Sequence, residues 1–224
     1  MHLLLRAMIE APHIAASDWP TAILLLIVTL FAFLRYYEGA RFVDFVQLPV
    51  RSNYFNELVE QKDSHVRFHF LLETIMLLVL SLFLQSLLYA SSADEMRMLD
   101  FRAFIKIFFI AFLFISVQRF LHSLTGVLFD LKKNLSQLIA IKDAYIKWGT
   151  MILTVLLALA AYTQTNHLII SIIGVVILGV LYIWGVFKGS TLLAGTTQLK
   201  GYHIIFYLCT LEILPILVLI KLLK

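Results

Sequence analysis

Six long apolar runs divide this chain, at residues 20–35, 69–89, 103–129, 145–162, 167–187 and 202–223. A helix rises about 1.5 Å per residue, so roughly 20 apolar residues cross the hydrocarbon core of a bilayer. Lipid offers no hydrogen bonds to a backbone, which leaves the helix and the closed barrel as the only spanning forms. These runs are continuous rather than alternating and therefore specify helices. The expected fold is all-α: a polytopic transmembrane bundle of about six spanning helices, forming a single integral membrane domain over residues 1–224.

Composition agrees. Hydrophobic residues make up 61% of the chain, charged residues 14%, and mean hydropathy is +0.92. Soluble domains are about 45–50% apolar and about 25% charged. The excess is too large for a soluble core of this size, so the lipid bilayer is the first partner to expect. The net charge of +4 comes from basic residues that flank the apolar runs. That placement fits retention at a membrane face and argues against a nucleic-acid partner. Cys209 is the one cysteine, so no intramolecular disulfide framework exists. Arg6 interrupts the apolar patch at Met1–Ile9 and no small-residue cleavage site follows, so the first run reads as a retained span rather than a signal peptide.

Boundaries follow from local signals. Asp18-Trp19-Pro20 is a helix start, and Arg35-Tyr36-Tyr37 closes the first span with a basic and aromatic belt. Residues 38–65 leave the bilayer. Within them ARFVDFVQL and NYFNELVEQ, separated by Pro49, have the pattern of amphipathic helices lying at the interface. The segment DLKKNLSQLIAIKD is too charged to span and is expected to be a loop. Only TQTN joins the fourth and fifth spans, which predicts an antiparallel hairpin. Gly174, Gly179 and Gly185 on one side, with Ala158 and Ala161 on the other, would allow its helices to approach closely. No fixed-period repeat is present.

Counting Lys and Arg gives eleven on the side of the first, third and fifth loops and six on the other. That bias predicts both termini in the periplasm, for a multi-pass protein of a bacterial inner membrane.

Charges inside the spans carry the functional information. Arg119 lies within the third run, at a cost of roughly 2.5–3.5 kcal/mol unless something pairs with it. Helix rise matches Arg119 in depth with Glu212 of the sixth run, and Glu73 of the second run with His122. These four residues form the expected buried polar site. Ser116, Arg119, Ser123, Gly126 and Asp130 recur at three- and four-residue steps, a polar stripe expected to face the bundle interior.

His65, His69 and Glu73 follow one another at four-residue steps. Two imidazoles and a carboxylate on one face are potential ligands for a transition metal, with His122 or His203 completing the shell. The alternative, an interfacial histidine pair ending an apolar stripe, accounts for the same spacing and is preferred. Gln85 and Gln118 are candidates for helix–helix hydrogen bonds. No phosphate loop, HExxH, GxSxG or CxxC motif is present, so nothing marks an enzyme and no cofactor is called for.

The last run, from Tyr202 through Tyr207-Leu208-Cys209-Thr210-Leu211-Glu212-Ile213-Leu214-Pro215, resembles the C-terminal signature of a Bacteroidota membrane family known only as a domain of unknown function. Ser52-Asn53-Tyr54-Phe55-Asn56 is similar to that family's pattern as well. The resemblance implies a Gram-negative inner membrane and draws attention to Tyr207, Cys209, Glu212 and Pro215, without implying any activity.

Three functions compete at this point. The leading one is an accessory or scaffold component of the inner membrane, meeting other membrane proteins or further copies of itself. The second is a small transporter or ion-coupled permease using Arg119 and Glu212. The third is an intramembrane metal-binding protein or enzyme using His65, His69, Glu73 and His122.

Overall fold

The computed structural model describes residues 18–49, 66–90, 100–128, 132–162 and 167–194. Six helices account for nearly all of them: α1 (Asp18–Tyr37), α2 (Gly39–Val46), α3 (Val66–Ala90), α4 (Phe101–Leu128), α5 (Lys132–Tyr162) and α6 (His167–Ala194). All but α2 are long and apolar enough to cross a membrane. The sixth expected span, 202–223, lies outside the described residues.

Two of the five long helices form the centre. Half of the membrane-crossing stretch is buried in α3 and in α5, against 17% in α1, α4 and α6. The outer helices instead present rows of large apolar side chains, among them Leu25, Phe109, Phe112, Phe120, Val176 and Ile183. In water, a surface of this kind would aggregate; lipid tails solvate it at no cost.

The core has two levels. Toward one face, Leu34 of α1, Phe45 and Leu48, Phe68 and Leu72 of α3, and Ile141, Ala144 and Tyr145 of α5 pack together. Deeper, Ile27, Ile75, Val79, Phe83, Leu153 and Leu157 continue the core toward the opposite face. The first face is where α1, α4 and α6 end and where α3 and α5 begin.

Helix α2 forms within the first amphipathic segment and packs at that end of the bundle. Its apolar side sinks Phe45 into the bundle. The indole Nε1 of Trp148 donates to the Val46 carbonyl at 3.1 Å, which ties the end of α2 to α5. The second amphipathic segment, NYFNELVEQ, lies outside the described residues.

Helix α5 departs furthest from expectation. The charged string taken for a loop is helical from Lys132 onward, and the apolar stretch begins at Gln137 rather than Tyr145. Buried Leu138, Ile141, Tyr145, Leu153 and Leu157 show why: helical apolar spacing runs straight through the charges. Lys142 and Lys147 are buried side chains and not loop residues. At the same end of the hairpin, α6 continues past Phe187 to Ala194.

The hairpin of α5 and α6 is antiparallel. Leu153 lies beside Gly174, Leu178 and Leu181 beside Gly149, Tyr145 beside Gly185, and Leu138 beside Gly189. A Cβ on Gly174 would lie 2.5 Å from the Phe83 ring of α3, and one on Gly185 would lie 3.3 Å from the Lys142 backbone. Of the expected glycines, Gly179 has open space around it. On α5, Gly149 adds a close approach of its own, against Leu178 and Leu181.

Candidate functional site: a charge network across three helices

Glu73 lies seven residues after the start of α3, about 10 Å along its axis. One of its carboxylate oxygens, Oε2, accepts from two cations. Arg119 of α4 reaches it at 2.5 Å, and Lys147 of α5 at 3.0 Å. The same guanidinium nitrogen of Arg119 stands 3.7 Å from Asp143 of α5. Asp143 and Lys147 are one helical turn apart on α5, so that helix contributes one charge of each sign. Two cations and two carboxylates make a neutral network joining α3, α4 and α5.

Burial grades across it. The Lys147 and Glu73 side chains are 9% and 15% exposed, while Asp143 is 29% and Arg119 48% exposed. The network therefore has a dry end between α3 and α5 and an open end on α4. The other oxygen of Glu73, Oε1, is buried with no hydrogen-bond partner among the described residues.

Of the two depth-matched pairs of the sequence analysis, the one that joins Glu73 to His122 is replaced by other contacts. Glu73 bonds Arg119 and Lys147 rather than His122. The Arg119 backbone lies about 14 Å from the end of α4, about 3 Å deeper than Glu73. Its long side chain runs toward the membrane face and closes that gap, as basic side chains do in bilayers. Glu212, the expected partner of Arg119, lies outside the described residues, as do Tyr207, Cys209 and Pro215.

His122 is 5% exposed, on the side of α4 that also buries Phe104, Ile107 and Ala111. The polar stripe of α4 turns away from that side: Ser116, Arg119 and Ser123 are all exposed. Bulky and small apolar residues fill the interhelical contact better than the serines, and they set the rotation of the helix.

The network partners that sequence reasoning missed are Asp143 and Lys147. Their i,i+4 spacing inside an apolar periodic segment was the available signal, hidden by the local density of charge.

His69 is exposed on α3, its ring 5.9 Å from Phe68. Among the described residues no three His, Cys, Asp or Glu side chains are grouped to hold a metal ion. His65 and His203 lie outside those residues.

Near the opposite face, Gln85 Nε2 donates to the Asp100 carbonyl at 3.4 Å, and the hydroxyls of Ser86 and Ser171 stand 3.4 Å apart. These are local ties between α3 and the start of α4, and between α3 and α6.

No curated protein and no solved structure matches the chain. A family model does match, over residues 21–223, and it therefore takes in every helix above except the first three residues of α1, and the apolar run that follows them. The chain belongs to the family described as Domain of unknown function (DUF4271).

Proposed function

We propose that this protein is an accessory or scaffold component of a bacterial inner membrane, and that its charge network is what holds the scaffold in register. The observation that carries this reading is the neutrality of the network. Each carboxylate faces a cation from another helix, so the charges are spent on one another and fix how α3, α4 and α5 sit together. Amphipathic α2, anchored through Phe45 and Trp148, gives the molecule a firm surface at one membrane face where a partner can meet it. Affinity purification of the tagged protein in mild detergent, followed by mass spectrometry, tests the proposal. A membrane protein recovered in stoichiometric amount supports it. Recovery of a partner-free protein that conducts solute or protons in liposomes would replace it.

A second reading, an ion-coupled permease, draws on one feature. The buried Oε1 of Glu73 has no hydrogen-bond donor among the described residues, and a carboxylate oxygen in that state is a place for a proton or cation to bind. Its test is proton flux in proteoliposomes carrying the wild type and Glu73→Gln. Flux abolished by the substitution establishes the permease, and equal leak from both removes it.

A further inference from the structure

We propose that the open end of the charge network holds the headgroup of a phospholipid with a free amine, its phosphate on Arg119 and Ser123 and its ammonium on Asp143.

Arg119 has donors to spare. Both of its ion pairs use a single guanidinium nitrogen, Nη2, which faces Glu73 and Asp143. A guanidinium carries five N–H donors, and those on Nε and Nη1 have no partner among the described residues. The side chain is 48% exposed in the folded chain. Ser123 stands one turn nearer the membrane face on the same side of α4, and it is exposed as well. Its hydroxyl is also uncommitted. Those of Thr29, Thr74, Ser81, Thr150 and Thr154 each donate to a carbonyl of their own helix, whereas that of Ser123 makes no hydrogen bond among the described residues.

Depth decides what can reach these groups. Arg119 lies about 8 Å inside the apolar stretch that ends at Leu124, and Asp143 about 9 Å inside the one that starts at Gln137. The two are level, just beneath the headgroups, where a soluble ligand would have to leave water. Ser123 is at the edge of its stretch. A phospholipid already occupies that layer, and Arg119 extends toward its phosphate as basic side chains do in bilayers. Deeper on the same side of α4, Phe109 and Phe112 are exposed and offer the acyl chains an apolar surface.

The network also selects among headgroups. It is neutral, so it has no net charge with which to draw an anionic lipid. Its open end is a dipole: the Arg119 guanidinium and, 3.7 Å away, the Asp143 carboxylate, itself 29% exposed. Phosphatidylethanolamine is the complement of that dipole, a phosphate joined by a short ethylene bridge to an ammonium that donates hydrogen bonds. Phosphatidylcholine carries the same charges, but its trimethylated nitrogen donates none. Phosphatidylglycerol brings a net negative charge to a site that contains the carboxylates of Glu73 and Asp143.

Full-length protein is stripped of lipid in detergent and titrated with dioctanoyl phosphatidylethanolamine, phosphatidylcholine or phosphatidylglycerol, and bound lipid is counted by native mass spectrometry. Each variant is first checked for a monodisperse elution profile. Phosphatidylethanolamine should bind about tenfold more tightly than phosphatidylcholine, the factor that one charge-assisted hydrogen bond supplies. Asp143→Ala should bring phosphatidylethanolamine down to the level of phosphatidylcholine and leave phosphatidylcholine unchanged. Ser123→Ala, outside the ion pairs, should weaken both lipids alike, by about threefold or more. Equal binding of the three lipids to the wild type would overturn the proposal, and so would tighter binding of phosphatidylglycerol. A preference for phosphatidylethanolamine that survives Asp143→Ala would place the amine elsewhere and sink it too. Unchanged affinities in well-folded Ser123→Ala would do the same for the phosphate.

Discussion

Removing the Glu73 carboxylate would leave Arg119 and Lys147 with Asp143 as the only acid of the network, and would strand the better-buried cation. Lys147 is 9% exposed and Glu73 15%, so breaking this pair by Glu73→Ala should cost about 3–5 kcal/mol. Replacing both ends together, as Glu73→Leu with Lys147→Met, should regain most of that loss, because neither charge is then left alone. Unfolding titrations in mixed dodecyl maltoside and dodecyl sulfate would measure both. A Glu73→Ala protein as stable as wild type would refute the network's structural role. At this scale the sequence shows which residues are unusual but not whom they meet. Arg119 and Glu73 stand out as charges in apolar runs. Their pairing depends on a long side chain spanning a difference of about 3 Å in depth, and depth matching by backbone position cannot anticipate that. Asp143 and Lys147 are equally plain in the sequence, but they sit among enough charges to resemble a loop.

Packing between helices is decided by where small residues fall, and here the glycines of α6 differ sharply. Gly174 abuts the Phe83 ring and Leu153, so Gly174→Ala overpacks a three-helix contact and should destabilise by about 1–3 kcal/mol. Gly179 has nothing within 4 Å, and there the same substitution should be neutral or add up to about 1 kcal/mol through helix propensity. Heat-induced loss of the monomeric peak in detergent would rank the two, and similar melting would deny that Gly174 is a contact point. Spacing alone made these glycines equivalent; rotation of the helix separates them, and only packing sets rotation. Helix α2 is the contrasting case, an element whose amphipathic pattern was readable in advance. Its hold on the bundle rests on Phe45, 1% exposed. Phe45→Ala should cost about 3–5 kcal/mol locally and open the Arg41 bond to trypsin, while a cleavage rate equal to wild type would place α2's anchorage elsewhere. The reach of α5 was not readable, because a window averaging hydropathy registers Lys132, Lys133 and Lys142 before it registers the buried stripe beneath them.

For the molecule as a whole, the folded helices alter the argument for its direction in the membrane. Loop charges orient a polytopic protein, and charges within the packed bundle do not count in the same way. Lys142 and Lys147 move from loop to buried helix, which reduces the basic residues on the side of the first, third and fifth loops from eleven to nine, against six on the other side. The bias keeps its sign with a smaller margin. The side where α2 lies, and where the charge network comes nearest to water, is therefore expected to be cytoplasmic, with both termini periplasmic. Cysteine reporters on a Cys209→Ser background test this directly: Ser92→Cys between α3 and α4, and Asn53→Cys between α2 and α3. A membrane-impermeant maleimide applied to spheroplasts should label the first and reach the second only after lysis. The opposite pattern would reverse the orientation, turn α2 with its Arg41 and the neighbouring Arg35 to the periplasm, and move the search for partners to that compartment. Because the bias is thin, adding two lysines between residues 91 and 99 should scramble the labelling, whereas removing Lys147 should weaken the fold without changing which reporter is reached.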